Sequence, residues 1–564
     1  MAKKMIKISS KEWRFVSLVG LILVFLIFFP KIVGIINIPQ DKIYVGLEGA
    51  NGGDRSFYYS QIEQVKDGHF LFKYLPTSEP HPRFMFDPFW LGVGLFAKFF
   101  SLSSIFAFQL AKLFLIPIFL MVSYYFVAFF FQDETRRKLC LIFLVFASGL
   151  GGFYLIGLDL PKNPDGIIDL SRHLVDKAGT FDLPIDLWVP EAIPFFSIHN
   201  SSHFTASLTL ILLIFLFSLL AFETKQMKYS LFSGFSALFL FQFHPYHLPT
   251  VFGILGIFIL SYIFIEKRIN LNYLRHYFIL LIFSLPPIIY HVWALSYVWV
   301  RKAHFLQNVL ITPPLYSVLL GYGFLIIFAS VGVFVIFKKK EKSQKDVFLL
   351  SWVFGQSLLI YSPLFRTQRK LTEGLFVVLV ILTVLGLFYL KDWLNKQTIF
   401  QKYFKEVFTN KIFLFYLFFI LFFWSNFMFV MGDLTLFLGN NSGWAYLEKD
   451  VYGAMIWLKE NSREDSVIFT SIRTGNSLFA FSVRQVYLGH GHITANFKEK
   501  SVKAESFFKN SQDGEKITFL KENGIDYFFF GPEERKFVQF NPEEKDYFTK
   551  VFENSQVAIY KVND

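Results

Sequence analysis

The chain has 564 residues, of which 54% are hydrophobic and 20% aromatic, and only 17% are charged. Runs of about 18 or more apolar residues can cross roughly 30 Å of hydrocarbon, so this composition excludes an ordinary soluble protein. The formal charge of +12 lies in short segments between the runs, so no nucleic-acid partner is expected, and the lone cysteine, Cys140, rules out an internal disulfide.

About eleven apolar runs follow one another: Trp13 to Ile36, Ile105 to Phe131, Leu139 to Leu158, Phe204 to Phe222, Ser230 to Phe243, Leu248 to Ile265, Tyr277 to Trp299, Leu315 to Phe337, Val347 to Tyr361, Leu371 to Leu390 and Ile412 to Met431. The fifth and ninth are the shortest. The first is too long for a removable leader and lacks a small-residue cleavage site after it, so it counts as a span. Basic clusters at Lys3 to Arg14, Arg136 to Lys138, Lys225 to Lys228, Lys267-Arg268, Lys338 to Lys340 and Lys391 to Lys411 fall on one side of these spans. That side is expected to be cytoplasmic, which puts the N-terminus inside and the chain after Gly432 outside. The 77 phenylalanines belong to no motif and read as nucleotide bias or lipid-facing filler.

The pattern divides the chain into a multipass domain over 1–431, with outer loops at 37–104 and 159–203, and an extracytoplasmic α/β domain over 432–564. The loop from Asp159 to Glu191 carries Asp159, Asp165, Asp169, Asp176, Asp182, Asp186 and Glu191. A loop of this length is either functional or a solvated acidic segment. Beyond it, Tyr452 to Asn461 and Glu515 to Glu522 predict helices, the second ending at Gly524. Val467 to Thr470, Ile525 to Phe530 and Val557 to Tyr560 predict strands of a mainly parallel sheet. No glycine-rich phosphate loop accompanies them, so nucleotide binding has no support.

Candidate chemistry gathers in the outer loops. In Gly52-Gly53-Asp54-Arg55-Ser56-Phe57-Tyr58-Tyr59 the glycines let the backbone turn tightly, and Asp54 is either a general base for an acceptor hydroxyl or the N-cap of a helix over 56–66. Arg55, Tyr58 and Tyr59, with His81 and Arg83 of the nearby Glu79-Pro80-His81-Pro82-Arg83 segment, are candidate substrate contacts. Arg366, Arg369 and Lys370 stand in an outer turn against the positive-inside bias, which suits either a lipid phosphate or a salt bridge to Glu373 or the acidic loop. His199 and His203 at i and i+4, and His244 of His244-Pro245-Tyr246-His247, admit metal ligation or plain helix-end hydrogen bonds. Arg484 through His492, with His490 and His492, reads as a sugar- or anion-binding face or as a glycine-stabilised turn.

An Asp in the first outer loop, an amphipathic stretch before the second span, about eleven spans and an outer C-terminal domain together resemble the GT-C class of membrane glycosyltransferases. Phe243-His244-Pro245-Tyr246, Gln368 to Gly374, Arg484 to His492 and Ile525-Asp526-Tyr527 also resemble segments of bacterial multipass proteins near that class. The resemblance implies a polyprenyl-phosphate sugar donor, a glycan, lipid or protein acceptor on the outer face, and Asp54 as the base. Many members set a second acid beside the first. Here Arg55 stands in that place, which leaves use of a divalent cation, magnesium or manganese, open and makes Glu191 or Asp87 the candidate second acid. A transporter or flippase of lipid-linked glycans, or a non-catalytic envelope scaffold, is the alternative; no internal repeat supports the transporter.

Overall fold

The computed structural model describes residues 7–47, 52–156, 183–403, 405–438, 445–509 and 512–563. Asp159, Asp165, Asp169, Asp176 and Asp182 of the acidic loop lie outside them. Two compact units are formed, each from three stretches of chain: 1–33, 111–288 and 310–441 in the first, and 34–110, 289–309 and 442–564 in the second.

Among the described residues, eight helices are long and apolar enough to cross a membrane, and a bent pair brings the number to at most nine. This is an integral membrane protein with a predominantly helical fold. Within the described residues the eleven apolar runs fall largely on helices, the third of them interrupted at Ala147 to Leu150. The fifth and ninth fall short as Met227–Phe243 (17 residues) and Gln344–Leu359 (16 residues), because at 1.5 Å per residue neither covers the full hydrocarbon thickness. The eighth run breaks at Gly323, whose φ of +52° starts a new helix at an 86° angle to the last. Left-handed backbone at that point favours glycine.

The first unit is built around the helix Leu375–Leu394, most of whose apolar length is buried. The helix Phe324–Lys338 packs against it through glycines. A Cβ on Gly332 would lie 2.0 Å from Leu382 O, and one on Gly386 would lie 2.2 Å from Phe328 O. Small residues at such crossings let two backbones approach closely. Phe126, Phe215 and Phe348 surround the buried Trp352. Many phenylalanines are therefore packing residues of the interior, a correction to their reading as lipid-facing filler.

The second unit holds the sheets. Strands β1 (Lys42–Tyr44) and β2 (Tyr446–Glu448) form a short antiparallel pair. A second sheet is formed by β3 (Val467–Phe469), β4 (Gln485–Val486), β5 (Tyr527–Phe530), β6 (Phe548–Glu553) and β7 (Ala558–Val562), in the order β4-β3-β5-β7-β6. Only β3 with β4 and β3 with β5 run parallel; β7 is antiparallel to both its neighbours. The sheet is thus mixed rather than mainly parallel, because β6 and β7 are joined as a hairpin at Asn554 to Val557 instead of by a crossover helix. Leu75 and Thr77 extend the β4 edge: the Val486 N–H donates to Leu75 O at 2.9 Å, and Gln485 Nε2 donates to Thr77 O at 2.8 Å. The stretch 34–110 and the chain after 442 share one hydrophobic core, with Val45, Ile62, Trp90, Met455, Leu478 and Ile559 in it.

Candidate functional site

Asp54 lies in the first turn of a helix that begins at Gly52 and runs to Lys66. It does not cap a helix starting at Ser56, since the predicted loop is itself helical. His490 Nε2 is 3.0 Å from Asp54 Oδ1. The imidazole's other nitrogen, Nδ1, accepts the backbone N–H groups of His492 at 3.2 Å and Ile493 at 3.3 Å. An acceptor at Nδ1 leaves the proton on Nε2, so the ring donates to the carboxylate. The turn that carries His490 is held by Thr494, whose Oγ1 accepts from the His490 N–H at 3.0 Å and donates to Pro76 O at 2.5 Å. Gly53 makes room for this pairing, because a Cβ there would sit 3.0 Å from Asn476 Nδ2 and 3.3 Å from His490 Cδ2. His490 is 8% exposed and Asp54 43%, so a buried ring steadies a carboxylate that remains open to solvent.

The neighbouring candidates are turned inward. Arg55 is buried and donates from Nη1 to Gly46 O at 3.2 Å, and the Tyr59 hydroxyl donates to the same carbonyl at 3.3 Å. Both hold the segment before the helix through that shared carbonyl. Tyr58 is half-buried and stacks on Trp90 at 4.7 Å. His81 Nε2 accepts the Tyr74 N–H at 2.9 Å while Nδ1 faces Glu79 O at 2.6 Å, and burial pushes its pKa down to about 4. Arg83 bonds Gln64 Oε1 at 2.6 Å and pairs with Glu464. Arg484 spends its guanidinium on Ser462, Ser482, Val483 and Lys459. His81 and Arg484 thus make their hydrogen bonds within the protein, His81 among the candidate substrate contacts and Arg484 in the segment that reads as a binding face or a turn. His492 is exposed, and its carbonyl accepts from Gln307 Nε2 at 2.7 Å.

Neither candidate second acid is idle. Asp87 is the N-cap of the helix Pro88–Phe99, with Oδ1 accepting the N–H groups of Phe89 and Trp90, and burial raises its pKa to about 7. Asp54 has the imidazole of His490 beside it.

Glu191 belongs to the first unit, where its Oε1 lies 3.4 Å from Lys370 Nζ. Lys370 also stands over the Tyr246 ring at 4.9 Å and the Phe204 ring at 5.8 Å, and the Arg369 guanidinium stacks over Trp188 at 4.9 Å. Arg366 carries the carbonyl that accepts the Leu310 N–H at 2.8 Å. His199 and His203 do not share a helix face. Ser201 ends the helix Pro194–Asn200 in extended backbone and starts the helix Ser202–Thr224. His199 Nε2 then pairs with Asp433 at 2.7 Å, whereas His203 Nδ1 lies 2.7 Å from Ser201 Oγ. The i, i+4 spacing therefore does not set the two rings on one helix face. His203 instead meets His244 edge to face at 5.0 Å. Asp186, from the loop's last part, is buried with its Oδ2 on the Gly151 N–H, and burial raises its pKa to about 7. The sequence reading missed Glu373 as a site residue, weighing it only as a salt-bridge partner. Its one signal is its place immediately before Gly374, whose φ is +96°.

The fold of the chain is that of solved membrane glycosyltransferases. In particular, the chain is similar to the oligosaccharyltransferase of Archaeoglobus fulgidus, solved tethered to an acceptor peptide containing an NVT sequon (TM-score 0.52, 13% identity, 92% of this chain and 69% of that one). It is also similar to the mycobacterial arabinofuranosyltransferase AftD (TM-score 0.53, 12% identity, 99% of this chain and 42% of that one). No protein-family model matches the chain, and no curated protein matches it.

Proposed function

We propose that this protein is a membrane glycosyltransferase that moves a sugar from a polyprenyl-phosphate donor to an extracytoplasmic acceptor, with Asp54 as general base. The observation that carries the reading is the Asp54–His490 pair at 3.0 Å, a solvent-open carboxylate oriented by a buried imidazole of fixed tautomer. In the proposed step, Asp54 takes the proton of an acceptor hydroxyl as that oxygen attacks the anomeric carbon. The bond from that carbon to the phosphate oxygen breaks, the sugar passes with inversion, and polyprenyl phosphate leaves. Arg366, Arg369 and Lys370 are the cations assigned to the lipid phosphate. Lys370 would exchange its 3.4 Å contact with Glu191 for the phosphate, which accepts charge-assisted hydrogen bonds of the same kind. The two solved neighbours support the general kind of reaction, since one transfers to peptide and the other is named for a sugar transfer. The N-terminus is assigned to the cytoplasm and the chain after Gly432 to the outer face, on the distribution of Lys and Arg.

The test supplies the purified protein with a panel of polyprenyl-phosphate monosaccharides and candidate acceptors, and follows release of polyprenyl phosphate. Acceptor-dependent release with one donor, abolished in Asp54→Asn, supports transfer. Transbilayer movement of the lipid without release would favour the flippase instead.

A further inference from the structure

Two short turns of the first unit meet at a buried cluster that the proposed reaction does not use. One is the 3-10 turn Pro245–His247, and the other is the 3-10 turn Gln368–Thr372, followed by Glu373. One imidazole nitrogen each from His244 and His247 and a carboxylate oxygen of Glu373 all lie within 4.8 Å of one another. The three residues are 6%, 1% and 0% exposed. His247 Nε2 is 2.7 Å from Glu373 Oε2. Among the described residues that oxygen nevertheless makes no hydrogen bond, and Nδ1 of His244 and Nδ1 of His247 are likewise unsatisfied. A buried carboxylate oxygen left in that state is costly.

The surroundings fix Glu373 firmly. Ser207 Oγ bonds its other oxygen, Oε1. Gln356 Nε2 donates at 2.7 Å to both Leu371 O and Glu373 O, and Gln356 Oε1 in turn accepts from Trp352 Nε1 at 2.7 Å. A hydrogen-bonded outer partner of this kind is what orients a carboxylate ligand in a metal site.

We propose that His244, His247 and Glu373 hold a divalent transition-metal ion, zinc by the nature of the donors. Two imidazole nitrogens and one carboxylate favour zinc over magnesium or calcium, which prefer oxygen cages. Three protein ligands leave a fourth position for water or for an oxygen of an anionic substrate. The ion ties the turn before the helix Leu248–Glu266 to the turn before the helix Leu375–Leu394. This site lies in different residues from Asp54 and does not depend on the transferase reading.

The experiment uses the full chain in detergent, stripped with chelator, desalted and titrated with Zn2+ or Co2+. About one equivalent is expected to bind, with visible cobalt bands of a low-coordinate site and two histidine nitrogens in the X-ray absorption of the zinc form. His244→Ala and Glu373→Gln should each weaken binding by about a hundredfold or more, while His69→Ala, in the other unit, binds as the native chain does. A native chain that takes up no metal above the buffer blank overturns the proposal, as does uptake that survives both substitutions. If the substituted chains fail to elute as folded protein, the zinc absorption spectrum of the native chain decides. Two imidazoles support the site, and an all-oxygen shell refutes it.

Discussion

At the scale of single residues, the account turns on how His490 holds Asp54. The ring accepts two backbone N–H groups at Nδ1, so replacing it removes the donor at Nε2 without removing the base. His490→Ala is expected to lower kcat by about tenfold to a hundredfold with little change in donor KM. His490→Gln, which keeps an N–H donor, should recover part of that loss. Equal damage from both would mean that the ring only packs. Gly53→Ala is expected to act in the same direction by pushing on His490 Cδ2. His81 gives a stability prediction instead. Its folded pKa of about 4 lies below the unfolded value of 6.5, so the folded state prefers the neutral ring. The stabilisation is complete above about pH 6.5 and is lost as pH falls through 4, to a limit of about 3 kcal/mol. Tm measured across that range should fall in the native chain and stay flatter in His81→Gln.

Among the elements, Arg484 is the piece that sequence could not place. Its position beside two glycine-flanked histidines suggests a binding face, yet it closes the ends of two helices at once. Its Nη2 donates to Lys459 O and Ser462 O at the end of Lys449–Asn461, and its Nη1 to Ser482 O and Val483 O at the end of Ile472–Ser482. A cation there complements the negative helix end as well as the orphan carbonyls. Arg484→Ala is expected to cost about 2 kcal/mol or more, read as a drop in Tm with the donor KM of surviving protein unchanged. A lost activity with an unchanged Tm would restore the binding-face reading. The elements with strong local signals were legible: Val467–Phe469 and Tyr527–Phe530 are apolar runs, and the left-handed Gly524 ends the helix Asp513–Glu522. The β6 strand was not, because its exposed, charged face shows no apolar run. The first turn at Gly52 was also illegible, since two glycines ordinarily argue against a helix.

For the whole molecule, hydropathy reveals the membrane helices but says nothing of which loops pack together. The stretch 34–110 reads as a loop between the first two spans, yet Val45, Ile62 and Trp90 share a core with Met455, Leu478 and Ile559. Contacts between residues hundreds of positions apart leave no local pattern to read. A fragment holding only residues 442–564 is therefore expected to expose that core and to be cut rapidly by protease, whereas a fusion of 34–110 with it should gain protection. Equal protection of both would show that the C-terminal stretch folds alone. The candidate site was legible at Asp54, which a two-glycine approach singles out. Its partner His490 was only one of two histidines in a turn, because the pairing joins residues 436 positions apart.

The most direct measurement compares host cells carrying the native chain with cells carrying Asp54→Asn at equal membrane abundance, by mass spectrometry of extracted lipids and surface glycans. The account predicts that a polyprenyl-phosphate sugar accumulates in the variant while one surface glycan, lipid or protein lacks the matching residue. Unchanged lipid and glycan profiles, with the native protein demonstrably present, would contradict Asp54 as the base and the transfer reaction with it.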